Sequence, residues 1–295
     1  MVSKLFNIKC DNCGAEYRIN SRGEMNCPFC GSRIYLNDKD WEDYQKARDE
    51  MLVRDRVEND LVNSDGDILH KWQNEQIITL ETKSGKVLNL HYCYKFDKSD
   101  KTVYVGSKRV SIVYANEDIA QKAIQNVESL LYPSADIKGL STFFPIINLI
   151  VTITDGKCVV VMEKPENAYP LAIFNKLDAK HVAWMISRLE NFGCLFEFNG
   201  VGRSLEIEDV YINPKTHFMY LLDGWETLKE GETLRYLTDL REITKKQMKL
   251  ETSPKECIDF LNGDPERDAY SDFDCWNKVI ETGFGGHNFC QFTEN

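Results

Sequence analysis

Four cysteines come in two C-x-x-C pairs, Cys10 with Cys13 and Cys27 with Cys30, and thirteen residues separate the pairs. In "CDNCG" and "CPFCG" a glycine follows the second cysteine and lets the backbone curl, so that both thiolates face one point. Four convergent thiolates make a closed tetrahedral zinc site with no position left for water, so the expected metal is structural and not catalytic. Iron or an iron–sulfur cluster also accepts four thiolates, whereas a redox C-x-x-C would stand as a single pair beside a thioredoxin-like pattern, which this sequence lacks. A segment of about 30 residues buries too little surface to fold alone, so metal binding would supply the folding free energy of residues 1–37. The remaining six of the ten cysteines are scattered singly through hydrophobic segments, which fits buried thiols in a reducing compartment better than disulfides.

The spacing resembles that of a zinc ribbon, with "EYRI" and "RIYL" as its short strands. Arg18, Arg22, Arg33 and Tyr17 make this segment the place where contact with nucleic acid is conceivable. Residues 1–37 carry five Lys/Arg against three Asp/Glu, residues 38–69 five against eleven, and the remainder 26 against 33, for a net charge of -11. So acidic a body discourages broad contact with nucleic acid or an anionic membrane, because phosphates are repelled. The start "MVSKLFNIKC" has no apolar core of signal-peptide length, and "FFPIINLIVTI", interrupted by Pro145 and Asn148, is shorter than the roughly 20 residues a spanning helix needs. The expectation is a cytoplasmic protein.

These residues need elements to position them. After the ribbon, Asn37 or Asp38 can cap a charged linker helix across 38–69, with Asp40, Glu42 and Asp43 in its first turn and a narrow apolar stripe through Trp41, Tyr44, Ala47 and Met51. "NSDGD", residues 63–67, marks a boundary. Three hairpins follow: "IITLETKSGKVLNLHYCY" about Ser84-Gly85, "NLIVTITDGKCVVVM" about Asp155-Gly156, and "DVYINPKTHFMYLL". Another β-rich run, "KTVYVGSKRVSIVYA", and a helix from about Asn116 to Leu131 lie between the first two. Asp178 can cap a helix with Val182, Met185, Ile186 and Leu189 on one face, which Gly193 is expected to end. From Gly231 onward the pattern is mostly helical. The fold class is α+β: a small β-rich lobe over 70–170, an extended connector and a larger helical lobe within 171–295, the plan of the protein kinase fold.

Ala183-Trp184-Met185, Arg188-Leu189, Ile212, Pro214, His217 and Trp225 match a Trp-Met helix, an I-x-P-x-x-H turn and a closing G-W. The chain in this respect resembles the kinase-like domain of a group of bacterial and phage proteins often linked to J-domains, over about residues 70–295. The J-domain's own H-P-D signature is absent. The resemblance places the phosphate-binding Lys near Val113, where the strand has no lysine, and the helix carboxylate at Glu128. It makes "ETKSGKVL" with its single Gly85 the cover over the phosphates, and it puts Gly202, Ser204 and Asp209 at the catalytic-loop His, Asp and Asn positions. Asp223, in "LLDGW", stands where a metal-binding Asp belongs, so Asp223 with Asp209 forms at most a residual cation site. The resemblance implies a degenerate domain with no catalytic residues, for which ATP and magnesium are not expected cofactors. His217 is read as packing in its turn, and Cys194, with no nearby His arrangement, as a buried thiol and not a nucleophile.

The reading is a non-catalytic, zinc-ribbon, pseudokinase-like adaptor or scaffold in a bacterial or phage cytoplasmic complex, with protein partners and no membrane. Two alternatives stay open: a nucleic-acid- or polymerase-associated regulator acting through the ribbon, and an atypical phosphotransferase using Asp209 and Asp223.

Overall fold

The computed structural model describes residues 75–213 and 218–286, with short pieces before them at 8–9, 16–17, 23–26, 30, 32–36, 39 and 41–42. The chain divides into two compact units, 1–69 and 70–295.

In the first unit β1 (Ile8–Lys9) pairs antiparallel with β2 (Glu16–Tyr17), and β3 (Gly23–Asn26) with β4 (Arg33–Leu36). In sequence, one C-x-x-C pair falls in each of the two connections. Cys10, Cys13 and Cys27 lie outside the described residues, as do Arg18 and Arg22 and nearly all of the segment expected to form the linker helix. Cys30 is exposed, with its thiol donating to Ser32 Oγ at 3.2 Å, and Arg33 pairs with Glu24 at 3.3 Å on the surface.

The second unit begins with β5 (Gln76–Glu81) and β6 (Val87–Tyr92), joined by a turn in which Gly85 takes φ 74°. Then come β7 (Tyr94–Asp97), β8 (Lys101–Val105), β9 (Arg109–Tyr114), α1 (Glu117–Glu128), the short α2 (Ala135–Lys138), β10 (Ile147–Thr152) and β11 (Cys158–Glu163). Five of these strands make one antiparallel sheet in the order β10-β11-β9-β8-β7. Its two faces follow from the period-2 alternation of strands. Val103, Val105, Val110, Ile112, Tyr114, Cys158, Val160 and Met162 join the main core with α1, while Tyr104, Val113, Val159 and Val161 face Leu90 and the β5–β6 hairpin. Burial on both faces explains why these strands read as continuous apolar runs. The side chain of Asn116 caps α1, accepting from the Ile119 N–H at 3.0 Å.

The connector carries β12 (Tyr169–Pro170), after which the chain enters α3 (Ala179–Phe198). This helix does not end at Gly193. The glycine is retained for packing, since a Cβ there would meet Leu237 at 3.2 Å and Tyr236 at 3.4 Å, and α3 continues one further turn to its cap at Asn199. Beyond it lie β13 (Val201–Gly202), β14 (Val210–Asn213), β15 (Phe218–Leu221) and β16 (Lys229–Glu230), followed by α4 (Thr233–Gln247), α5 (Lys255–Asn262) and α6 (Ala269–Gly283). The β14–β15 hairpin forms as expected and extends to β12 in a three-stranded sheet, its turn, with Pro214 and His217, lying outside the described residues. This is the α+β order of a β-rich lobe, a connector and a helical lobe. Among the described residues no helix is long and apolar enough to cross a membrane.

The helical lobe is tied by a buried ion pair between α4 and α6, in which Arg241 grips Asp272 with two bonds of 2.7 and 2.8 Å. Glu190 of α3 is fully buried, and burial, followed by the Asp272 carboxylate, pushes its carboxyl from 4.5 up to about 9. Between those two values the folded chain keeps a proton that the unfolded chain releases, so stability falls as pH rises through that window. Glu190→Gln has no such proton to lose. Its stability relative to the parent should therefore grow from pH 5 to pH 9, by at most about 1.4 kcal/mol per unit. Urea denaturation at several pH values measures this, and a pH-independent difference would contradict the protonated assignment.

Candidate functional site

The site lies where the β7–β8 hairpin faces the segments around β13, β14 and β15. The hairpin turn is "DKSDK", residues 97–101, and its two lysines point into the protein. Lys101 opens β8, a strand buried along almost its whole length, and only 5% of Lys101 is exposed. An ammonium at such depth needs partners in place of water. It donates to Asp223 Oδ1 at 2.7 Å and to Glu226 Oε1, and it stands 5.7 Å from the centre of the Tyr114 ring. Lys98 pairs with Asp209 Oδ1 at 2.6 Å and with Glu206 at 2.7 Å, and lies 3.5 Å from Asp223 Oδ2.

From the other side Arg203, wholly buried, donates to Asp209 Oδ2 at 2.7 Å and lies over the Trp225 ring at 5.3 Å. Asp209 is fixed by local structure as well. It ends a short 3-10 turn, Ile207–Asp209, in a reciprocal capping arrangement with Glu206. Three buried carboxylates, Asp209, Asp223 and Glu226, thus meet three cations, Lys98, Lys101 and Arg203, while Glu206 sits half-exposed at the rim.

The protonation states follow from this set. Burial works against the Lys98 ammonium, but Asp209 and Asp223 outweigh it and hold its pKa above the ordinary lysine value. Lys101 is raised in the same way, with burial opposed by Asp223 and then Glu226. Burial alone would raise Asp209, yet Arg203, Lys98 and Lys101 bring it below the usual carboxylate range. At Glu226 burial wins and the carboxyl is raised despite Lys101. Tyr114 and Tyr211, buried beside these carboxylates, are pushed well above 10.

Of the residues singled out from sequence, the structure brings Asp209 and Asp223 together, both buried, with lysine ammoniums against them. Val113 faces away, into the cluster under the β5–β6 hairpin. Glu128 is exposed, and Asn126 of the same helix makes the inward contact instead, donating to the Trp225 carbonyl at 2.7 Å. Ser204 gives Arg203 Nε its backbone carbonyl at 3.0 Å, and Gly202 pairs with Lys229 in the β13–β16 ladder. Cys194 donates weakly to the Ala269 carbonyl, and burial pushes its thiol up to about 12, so it stays protonated and inert.

One expectation is corrected. The cover over the site is not the hairpin with Gly85, which packs on the opposite face of the sheet, but β7–β8, whose strands run into their neighbours in the sequence pattern. Lys98, Lys101, Arg203 and Glu226 were missed with it. The available signal was a lysine heading the apolar strand "KTVYV" and a carboxylate three residues after Asp223.

No protein-family model matches the sequence, and no curated protein does. Among solved structures the chain is similar to WbdD, described as a bifunctional kinase-methyltransferase, at 11% identity and TM-score 0.46 over 66% of this chain and 46% of that one. It is also similar to vaccinia related kinase 3, at 12% identity and TM-score 0.44 over 70% of this chain and 76% of that one. A third is the Cydia pomonella granulovirus kinase PK-1, at 10% identity and TM-score 0.42 over 78% of this chain and all of that one. The chain thus spans less than half the length of WbdD.

Gly224 holds the two halves of the cluster in register. It takes φ 79°, and a Cβ there would run into Arg203 Nη2 and Asp209 Oδ2 and lie 2.9 Å from Asp209 Cγ. Gly231, at φ 71°, has open space around it. Gly231→Ala should cost about 1 kcal/mol of backbone strain, and Gly224→Ala at least about 2 kcal/mol more through displacement of the ion pair. Chemical denaturation of the two variants compares them, and equal costs would mean that the pair does not constrain the turn.

Proposed function

We propose that residues 70–295 form a non-catalytic, protein-kinase-like scaffold, and that the chain acts as an adaptor for protein partners in a bacterial or phage cytoplasmic complex. What carries this reading is the self-pairing of the cleft. Phosphoryl transfer requires carboxylates free to hold magnesium and cations free to hold phosphates. Here Asp209 Oδ1 pairs with Lys98 at 2.6 Å and Asp223 Oδ1 with Lys101 at 2.7 Å, while Asp223 Oδ2, Glu226 Oε2 and Arg203 Nη1 are buried without a hydrogen-bond partner among the described residues. A nucleotide with its metal would have to separate these pairs and leave buried charges to be repartnered, which opposes binding by several kcal/mol. Ser204, at the position that orients the attacking hydroxyl in the kinase plan, offers no carboxylate.

Melting of the full chain with and without about 1 mM ATP and excess magnesium tests this reading, that concentration being at the upper end of ordinary substrate constants. The expected result is no shift and no phosphate incorporation. A magnesium-dependent rise lost in Asp223→Ala would contradict it.

We further propose that the amino-terminal unit binds one structural zinc through Cys10, Cys13, Cys27 and Cys30. The support is the ligand chemistry, together with the fall of one pair in each hairpin connection. Zinc would hold the two hairpins together and contribute the folding free energy they lack. Elemental analysis should return one zinc per chain, lost in Cys27→Ser. Full metal content in that variant would count against the assignment.

A further inference from the structure

Among the described residues the outer face of the five-stranded sheet is only partly covered, by the β5–β6 hairpin. At the uncovered end a cavity of about 240 Å³ opens between the two layers. Leu88 and Leu90 of β6 line one side of it, Val161 of β11 and Leu149 of β10 the other, and the β8–β9 turn, with Ser107 and Lys108, closes one end. The wall at the turn depends on Gly106, where a Cβ would approach the His91 carbonyl oxygen to 2.5 Å, so the turn can lie directly against β6.

Two features of the lining oppose its being ordinary core. Ser111 stands on a sheet face whose other buried members are Tyr104, Val113, Val159 and Val161. It is 4% exposed and lines the cavity. Its neighbours on that face make valine the residue expected of ordinary core there, and the hydroxyl sets this position apart. The mouth, in addition, is basic in a chain of net charge -11. Lys108 and Arg109 are exposed there, and neither has an ion-pair partner among the described residues. Among the described lining residues the one carboxylate, Glu75, is engaged by the Ser107 N–H at 2.6 Å and lies 3.7 Å from His91, while Glu163 stands opposite Arg109 on β11.

We propose that this cavity binds a small amphipathic anion. An unbranched or aromatic body lies between the leucines and Val161, an acceptor oxygen takes the Ser111 hydroxyl hydrogen, and the negative head faces Lys108 and Arg109. The volume is below the roughly 300–1,000 Å³ of drug-sized sites, which limits the ligand to about ten non-hydrogen atoms. The site is separate from the ion-paired cleft, since it lies on the opposite face of the sheet, and it does not depend on the scaffold reading.

Octanoate, with about that number of atoms, serves as the probe, and 1-octanol as its uncharged counterpart. Calorimetry and ligand-observed NMR on the full chain should show octanoate binding at least tenfold tighter than octanol. Lys108→Glu with Arg109→Glu, both on the exposed rim, should abolish the preference while leaving the melting temperature nearly unchanged. Ser111→Val should weaken octanoate about fivefold, yet melt at or above the parent temperature, which a purely structural serine would not do. No octanoate binding at about 2 mM, equal binding of octanol, or undiminished binding by the doubly reversed variant would each overturn the proposal.

Discussion

The Lys101 ammonium, sunk at the start of a strand and held by Asp223 and Glu226, is the constraint on which the cleft depends. A lysine at 5% exposure is tolerable only while its partners stay in place, because removing one partner of a buried pair costs about 3–5 kcal/mol. Asp223 and Glu226 flank Gly224, so the turn must hold its left-handed form, and that form in turn leaves room for Arg203 to reach Asp209. Lys98 closes the circuit by reaching both Asp209 and Asp223. No one of these groups can leave without exposing another.

The consequence is a cleft in which three buried carboxylates face three cations, with Glu206 added at the rim. Other bonds tie the same two halves together. Asn126 of α1 holds the Trp225 carbonyl, and the Asn199 side chain, at the end of α3, both accepts from and donates to the Leu131 backbone at 2.8 and 3.0 Å. Trp225 is itself wedged between Phe144, at 4.9 Å between ring centres, and Phe196, at 6.1 Å. These contacts join α1 and the end of α3 to the turn that carries Trp225.

The parts of this architecture encoded locally were legible in the sequence. The hairpins at Gly85 and Gly156 and the helix opened by Asn116 each follow from a few neighbouring residues, and all appear as expected. Gly193 was misread because a glycine that ends a helix and one that admits a neighbouring helix look alike in one dimension. The lysine cluster was invisible for a different reason. Lys98 and Asp209 are 111 positions apart, and Lys101 and Asp223 are 122 apart, so their meeting is a property of how the lobes stack and not of any motif. The buried lysine belongs to β8, one strand along the sheet from Val113 of β9.

The account rests on the ion pairing of Asp209 and Asp223 with lysines from the same chain. A double-mutant cycle between Lys101→Met and Asp223→Asn, read by denaturant unfolding of the full chain, tests it most directly. Each single change should destabilise strongly, and the double change should cost less than the sum, with a coupling energy of about 1.5–3 kcal/mol. A coupling below about 0.5 kcal/mol, the level of independent sites, would mean that the pair does not hold the cleft closed.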